Sequence, residues 1–146
     1  MTPIDRAVLA ERTLALERHL ARVAEKLPPD ADAVAASSDA SDAVVLHLWQ
    51  ATQMVIDLAV SACVAHGAGT PQSYADAFRR LQTEGLIEAA LADRLVRAAG
   101  FPNLVAHAYE RLDMARVHQA ARMGPADLRA FVAAIARTAP ASAPPE

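Results

Sequence analysis

Residues 44–65 read VVLHLWQATQMVIDLAVSACVA, the longest apolar stretch in the chain, and how this stretch is read decides the fold. It has the length of a membrane span, but His47, Gln50, Gln53 and Asp57 interrupt it, and a single span in lipid would leave those groups without partners. Val45, Leu48, Thr52, Val55, Ala59, Ala62 and His66 follow alternating steps of three and four, the spacing of a helix that lays one seam into a bundle. We therefore read a core helix, N-capped by Ser41 and ended by Gly67 and Gly69.

Helical signals continue on both sides of it. Upstream, Thr2-Pro3-Ile4-Asp5 reads as a helix start, with Thr2 as N-cap and Pro3 at the first helical position. Leu9, Leu16, Leu20, Val23 and Leu27 then recur at helical spacing until Pro28-Pro29, which cannot continue a hydrogen-bond ladder. The acidic, Ala- and Ser-rich run from Pro28 to Asp42 has no sustained period and reads as an exposed connection. Downstream, Ser73 and Asp76 form an S-x-x-D cap for a short helix bearing Phe78 and Leu81 and stopped at Gly85. A further helix carries Leu91 and Leu95 and ends at Gly100; the next opens with Pro102 at its first position. Asp113 caps another segment, which Gly124-Pro125 is expected to break before a last helix ending near Arg137. The chain is thus read as one folded domain over residues 1–138, followed by a disordered tail over 139–146, APASAPPE.

Composition agrees. Hydrophobic residues make up 53% of the 146 and aromatics only 4%, which suits packed helices better than a β-sandwich. The one cysteine, Cys63, forms no internal disulfide, and with no signal peptide or span evident the expected compartment is the cytoplasm, with no membrane partner. The net charge of −3 offers no general attraction to nucleic acid, but it is unevenly spread. Residues 1–57 carry nine acids against five bases, and residues 79–122 carry seven arginines against five acids.

The more basic half contains AGFPNLVAHAYERLD, residues 99–113. On a regular helix Asn103 and His107, four apart, share a face, whereas Tyr109 points away from His107 and reads as a neighbour on the rim. An imidazole can take or give a proton near neutrality, and an Asn amide can hold a phosphate or hydroxyl. Taken alone, His107 would read as a polar-tipped residue on a half-buried face, and Tyr109 equally as a packing residue or a modification site. Asp57 is either a contact supporting such a site or an outward turn. His19, His47, His66 and His118 have no spacing that makes a metal site.

GFPNLVAHAY, residues 100–109, resembles the G-F-R-N-x-x-x-H-x-Y segment of the HepT-like branch of the HEPN ribonuclease superfamily, toxins of prokaryotic toxin–antitoxin pairs. DLAVSACVAHGAGTPQSYADAFRRLQTEGLI (57–87) and ALADRLVRAAGF (90–101) are similar to the family's second helix, its Pro-x-Ser-Tyr cap and the approach to its active site. The resemblance implies an all-α, HEPN-type bundle of four main helices plus shorter segments, spanning 1–138 and paired as a homodimer. It implies a metal-independent endoribonuclease of a type VII-like toxin–antitoxin pair, without cofactor, acting on RNA such as tRNA or mRNA. His107 and Asn103 take the catalytic positions. Tyr109 takes that of the tyrosine adenylylated by an MNT-type nucleotidyltransferase antitoxin, where a bulky anion would obstruct the cleft and repel RNA.

One position departs from the pattern. Where the family places its catalytic Arg, five residues before the His, stands Pro102, which has neither charge nor donor. Losing a charge stabiliser aimed at a transition state costs on the order of a hundred- to a thousandfold in rate. Arg97 before the motif, and Arg111 or Arg116 after it, are the candidates to supply a guanidinium. The alternative is a catalytically weak or inactive HEPN dimer that binds the antitoxin, RNA or a nucleotide.

Overall fold

In the computed structural model, which describes residues 4–30, 38–106 and 113–139, every regular element is a helix, as the sequence led us to expect. Three are long, α1 (Arg6–Lys26), α2 (Asp39–Ala65) and α6 (Met114–Thr138), and three are short, α3 (Tyr74–Thr83), α4 (Ala89–Ala98) and α5 (Phe101–Ala106). The stretch at 44–65 is the hub: α2 packs against α1, α3, α5 and α6. Among the described residues α2 is also the one helix long and apolar enough to cross a membrane, by length and composition alone. Here its Leu48, Val55, Ala59 and Ala62 are buried in the bundle, as the seam predicts. The seam begins at Val44, which is fully buried, and not at Val45, which is only half-buried.

Two apolar clusters hold the helices together. The larger runs through Leu16 and Leu20 of α1, Val55 and Ala59 of α2, Phe78 and Leu81 of α3 and Phe131 of α6. Within it the Phe78 and Phe131 rings meet edge to face, centroids 5.5 Å apart at 89°. The smaller contains Val23, Val44, Leu48, Val117 and Ala121 around Phe101.

Several boundaries differ from the sequence reading. Helix α1 begins at Arg6 with Asp5 as its cap, the carboxylate accepting from Ala7 N–H at 2.8 Å; Thr2 and Pro3 lie outside the described residues. Helix α2 starts one turn earlier than Ser41. Ser38 is the N-cap, and Ser41 at N3 returns the bond, its Oγ accepting from Ser38 N–H at 3.1 Å. Both serines satisfy the capping-box geometry, so the one nearer the apolar run gave the stronger signal. Ser73 and Asp113 cap α3 and α6 as expected, and Gly67, Gly69 and Gly85 have φ between 72° and 86°, the left-handed conformation that ends a helix.

Gly124-Pro125 does not break the last helix; α6 runs through it from Met114 to Thr138. Val117, Ala121, Gly124, Leu128, Phe131 and Ile135 are buried in steps of four and three that never lose phase. Proline crowds the Cβ of the residue before it when that residue is helical, and glycine has no Cβ to crowd. The pair that reads as a stop is thus the pair that admits a proline into a helix held by its neighbours.

Candidate functional site

Phe101 positions the motif. Its side chain is buried among Val23, Val44, Leu48, Val117 and Ala121, which fixes the first residue of α5 against α1, α2 and α6. Leu104 N–H donates to Gly100 C=O at 3.0 Å, closing the first turn. Pro102 is the second residue of α5 and not the first; its missing N–H is one of those that a helix start leaves unpaired in any case. Asn103 follows, exposed. His107 and Tyr109 lie outside the described residues, as does Arg111.

Asn103 does not stand alone. It lines a hollow of about 480 Å³ together with Arg97 from the last turn of α4 and Arg116 from the first turn of α6. These two arginines are nineteen residues apart in sequence, and the packing of α4 on α6 brings them to one surface. Arg97 makes no ion pair among the described residues, and Arg116 meets Asp113 only loosely, at 3.8 Å. A second hollow of about 580 Å³ is continuous with the first, sharing Arg97, Ala98, Phe101, Arg116 and Ala120. Its buried lining includes Leu48, Gly124, Leu128 and Thr52, whose hydroxyl donates to Leu48 C=O at 2.8 Å; at its rim Arg94 is neutralised by Asp127, Nε to Oδ1 2.9 Å. Sequence reading named Arg97 and Arg116 as candidates but gave no reason to select Arg94, Gln119 or Met123, which line the second hollow through tertiary packing.

Asp57 is on none of these surfaces. It is exposed on α2 and accepts from Gln53 Nε2 at 3.0 Å, one turn back. The other histidines are bonded elsewhere: His118 Nε2 lies 3.0 Å from Pro28 O and His66 Nε2 3.2 Å from Thr138 Oγ1. His19 Nδ1 and His47 Nδ1 are 3.0 Å apart across the α1–α2 contact, so one ring donates and the other accepts. Burial first, and then His47, hold the His19 imidazole below its ordinary value. Burial pushes the Cys63 thiol up, and its Sγ–H faces Ala77 O at 3.3 Å, which marks a packing residue and not a nucleophile.

A family model described as Ribonuclease HepT-like matches residues 16–135. Among solved structures the chain is similar to a tri-AMPylated Shewanella oneidensis HEPN toxin in complex with MNT antitoxin: 24% identity, 88% of this chain and 96% of that one, TM-score 0.77. It is similar also to a chain in a mutant toxin–antitoxin MntA–HpeT structure, at 25% identity over 88% and 97% of the two chains, TM-score 0.77. A toxin–antitoxin structure with AMP-PNP matches at 23% identity over 88% and 95%, TM-score 0.75. No curated protein matches in a sequence search. The fold is that of these HEPN toxins.

Proposed function

We propose, because the chain belongs to the Ribonuclease HepT-like family, that it is the toxin of a toxin–antitoxin pair, a homodimeric endoribonuclease that cuts RNA without a metal. The match of the family model across 16–135, through the Asn103-x3-His107-x-Tyr109 segment, carries this reading. In the reaction a ribose 2′-hydroxyl attacks the adjacent phosphorus. The 2′-O–P bond forms and the P–O5′ bond breaks, leaving a 2′,3′-cyclic phosphate and a 5′-hydroxyl. His107 moves the proton, taking it from the nucleophile or giving it to the leaving oxygen. Asn103 holds a non-bridging oxygen, and Arg97, in the same hollow as Asn103, supplies charge to the pentacovalent phosphorus.

Silencing by an MNT-type nucleotidyltransferase antitoxin belongs to the same proposal, with Tyr109 accepting AMP through its hydroxyl. The AMP adds bulk and negative charge where RNA phosphate must enter. That a structural neighbour is a tri-AMPylated HEPN toxin with MNT antitoxin supports this half of the reading.

A second reading is favoured by Pro102, which puts no charge where the family motif has one. On it, the dimer keeps the antitoxin and nucleotide surfaces and cuts RNA weakly or not at all. Incubating the purified chain with total RNA beside a His107→Ala variant decides between them: loss of cleavage in the variant supports the enzyme, and equal background from both ends it. Pro102→Arg should raise cleavage if the missing guanidinium is the only defect. Intact mass after incubation with ATP and the antitoxin should rise in AMP steps, and a rise that persists in Tyr109→Phe moves the acceptor elsewhere.

A further inference from the structure

We infer that the paired hollows between α4, α5 and α6 form a nucleotide subsite, in which Arg97 and Arg116 hold an RNA phosphate and the apolar groove beside them takes the attached base. The inference rests on the reading that this chain binds RNA, and adds to it where the chain grips its substrate and with which side chains.

Charge argues for a phosphate. Three arginines and one acid, Asp127, line the larger hollow, and Asp127 is occupied by Arg94, so the remaining field comes from Arg97 and from Arg116, which Asp113 opposes loosely at 3.8 Å. Both are solvent-exposed, so neither needs an anion for its own solvation; what they offer is two guanidinium groups, from different helices, lining one hollow. Shape argues for a base. The adjoining groove, about 580 Å³, falls in the range of small-molecule sites, and its buried lining is Leu48, Thr52, Phe101, Gly124 and Leu128, none of them charged. Gly124 adds no side chain to that lining, and a Cβ there would meet only Leu48 Cδ1, at an ordinary 3.9 Å. At the rim Gln119 offers an amide, donor and acceptor together, to a base edge. A flat apolar ring with a polar edge, carried on an anion, is a nucleotide.

Single-stranded RNA is the form that fits, because a base must leave its stack to enter a groove. The test is binding of a fluorescein-labelled 12-nucleotide single-stranded RNA to the full-length chain, competed with 5′-AMP and with inorganic phosphate. Arg97→Gln/Arg116→Gln should raise the RNA Kd about tenfold and reduce the slope of log K against log salt by about 0.7 for each phosphate released. Met123→Trp, which fills the groove from α6 at a residue the phosphate hollow does not share, should weaken RNA and AMP while leaving competition by inorganic phosphate unchanged. Gln119→Trp fills the groove one turn earlier on α6, so the pair keeps the test decisive if one variant melts early. Unchanged RNA affinity in the arginine and groove variants overturns the inference. So does a loss of antitoxin affinity, or of the dimer, in those variants while RNA binding holds, which would assign the groove to a protein. Failure of the nuclease reading is a separate observation: if wild type and His107→Ala leave RNA equally intact, the enzyme falls and these affinities still decide the groove.

Discussion

Replacing Pro125 and Gly124 in a double-mutant cycle tests why α6 runs through them. Proline in a helix interior costs about 3 kcal/mol relative to alanine, through the lost N–H and the clash with the carbonyl four residues back, here Ala121. Pro125 is only half-buried, so little packing is lost on its removal. Pro125→Ala should therefore stabilise the chain, by about 2 kcal/mol once relaxation already present in the helix is allowed for. Gly124→Ala alone should gain nothing, because a Cβ before proline is crowded in the helical conformation. In the Pro125→Ala background the crowding is gone and the new methyl meets only Leu48 Cδ1 at 3.9 Å, an ordinary contact, so the helix-propensity gain of about 1 kcal/mol should emerge. A chain of 146 residues has a melting entropy of about 0.3 kcal/mol/K, at roughly 2.1 cal/mol/K per residue, so each kcal/mol moves Tm by about 3 °C. Thermal melts followed at 222 nm, at fixed protein concentration, should give about +6 °C for Pro125→Ala and about +9 °C for the double variant. Additive effects would refute the pre-proline argument, and a lower Tm for Pro125→Ala would mean that the proline's geometry is needed for packing.

Other consequences can be measured alongside. Because the folded state holds the His19 imidazole below its ordinary value of 6.5, the unfolded chain binds more protons as pH falls through that value. Stability should be fully present above pH 6.5, decline below it until the folded-state value is passed, and His19→Gln should flatten the decline in Tm between pH 7.5 and 5. Phe131→Ala removes a fully buried ring and its edge-to-face contact with Phe78; urea unfolding should show a loss of about 3–5 kcal/mol, and a loss below 1 kcal/mol would contradict the packing described. Asp113→Ala removes the α6 cap, whose carboxylate accepts from Ala115 N–H at 3.1 Å and Arg116 N–H at 3.4 Å. It should cost about 1 kcal/mol in the same assay, and at low salt RNA should bind more tightly to the unopposed Arg116.

Much of the bundle was legible because its signals are local. Ser73 with Asp76, Asp113 before α6, and the glycines at 67, 69 and 85 each act within one turn of chain, and each does what the sequence says. The α2 seam was legible within one residue because its period is maintained for six turns. Gly124-Pro125 reads as a stop because its local signal is strong, but the tertiary packing of Val117, Ala121, Leu128, Phe131 and Ile135, whose phase the pair leaves undisturbed, overrides it. The surface beside Asn103 was legible only in part. Sequence spacing places Arg97 and Arg116 before and after the motif, but their meeting depends on α4 packing against α6, and no local pattern distinguishes them from Arg79, which pairs with Asp93 at 2.6 Å.

Position 102 joins the two levels. In the G-F-R-N-x-x-x-H-x-Y segment that residues 100–109 resemble, the arginine stands five residues before the histidine, so one stretch of chain carries both the charge and the imidazole. In this chain the second residue of α5 is proline, which a helix start accepts without loss of a hydrogen bond, and the charge beside Asn103 comes from two other helices. A charge supplied that way depends on the packing of Ala92, Leu95, Val117 and Ala121, which holds α4 and α6 in register with α5. On the proposed function, then, activity here is coupled to tertiary packing more tightly than in a chain that keeps the motif arginine. Large-to-small changes at Leu95 or Val117 would move Arg97 or Arg116 relative to Asn103 while leaving α5 itself intact, and a shift of about 1 Å in a charge aimed at a transition state is enough to cost on the order of a hundredfold in rate. Pro102→Arg would restore the guanidinium on α5 itself and so loosen that dependence.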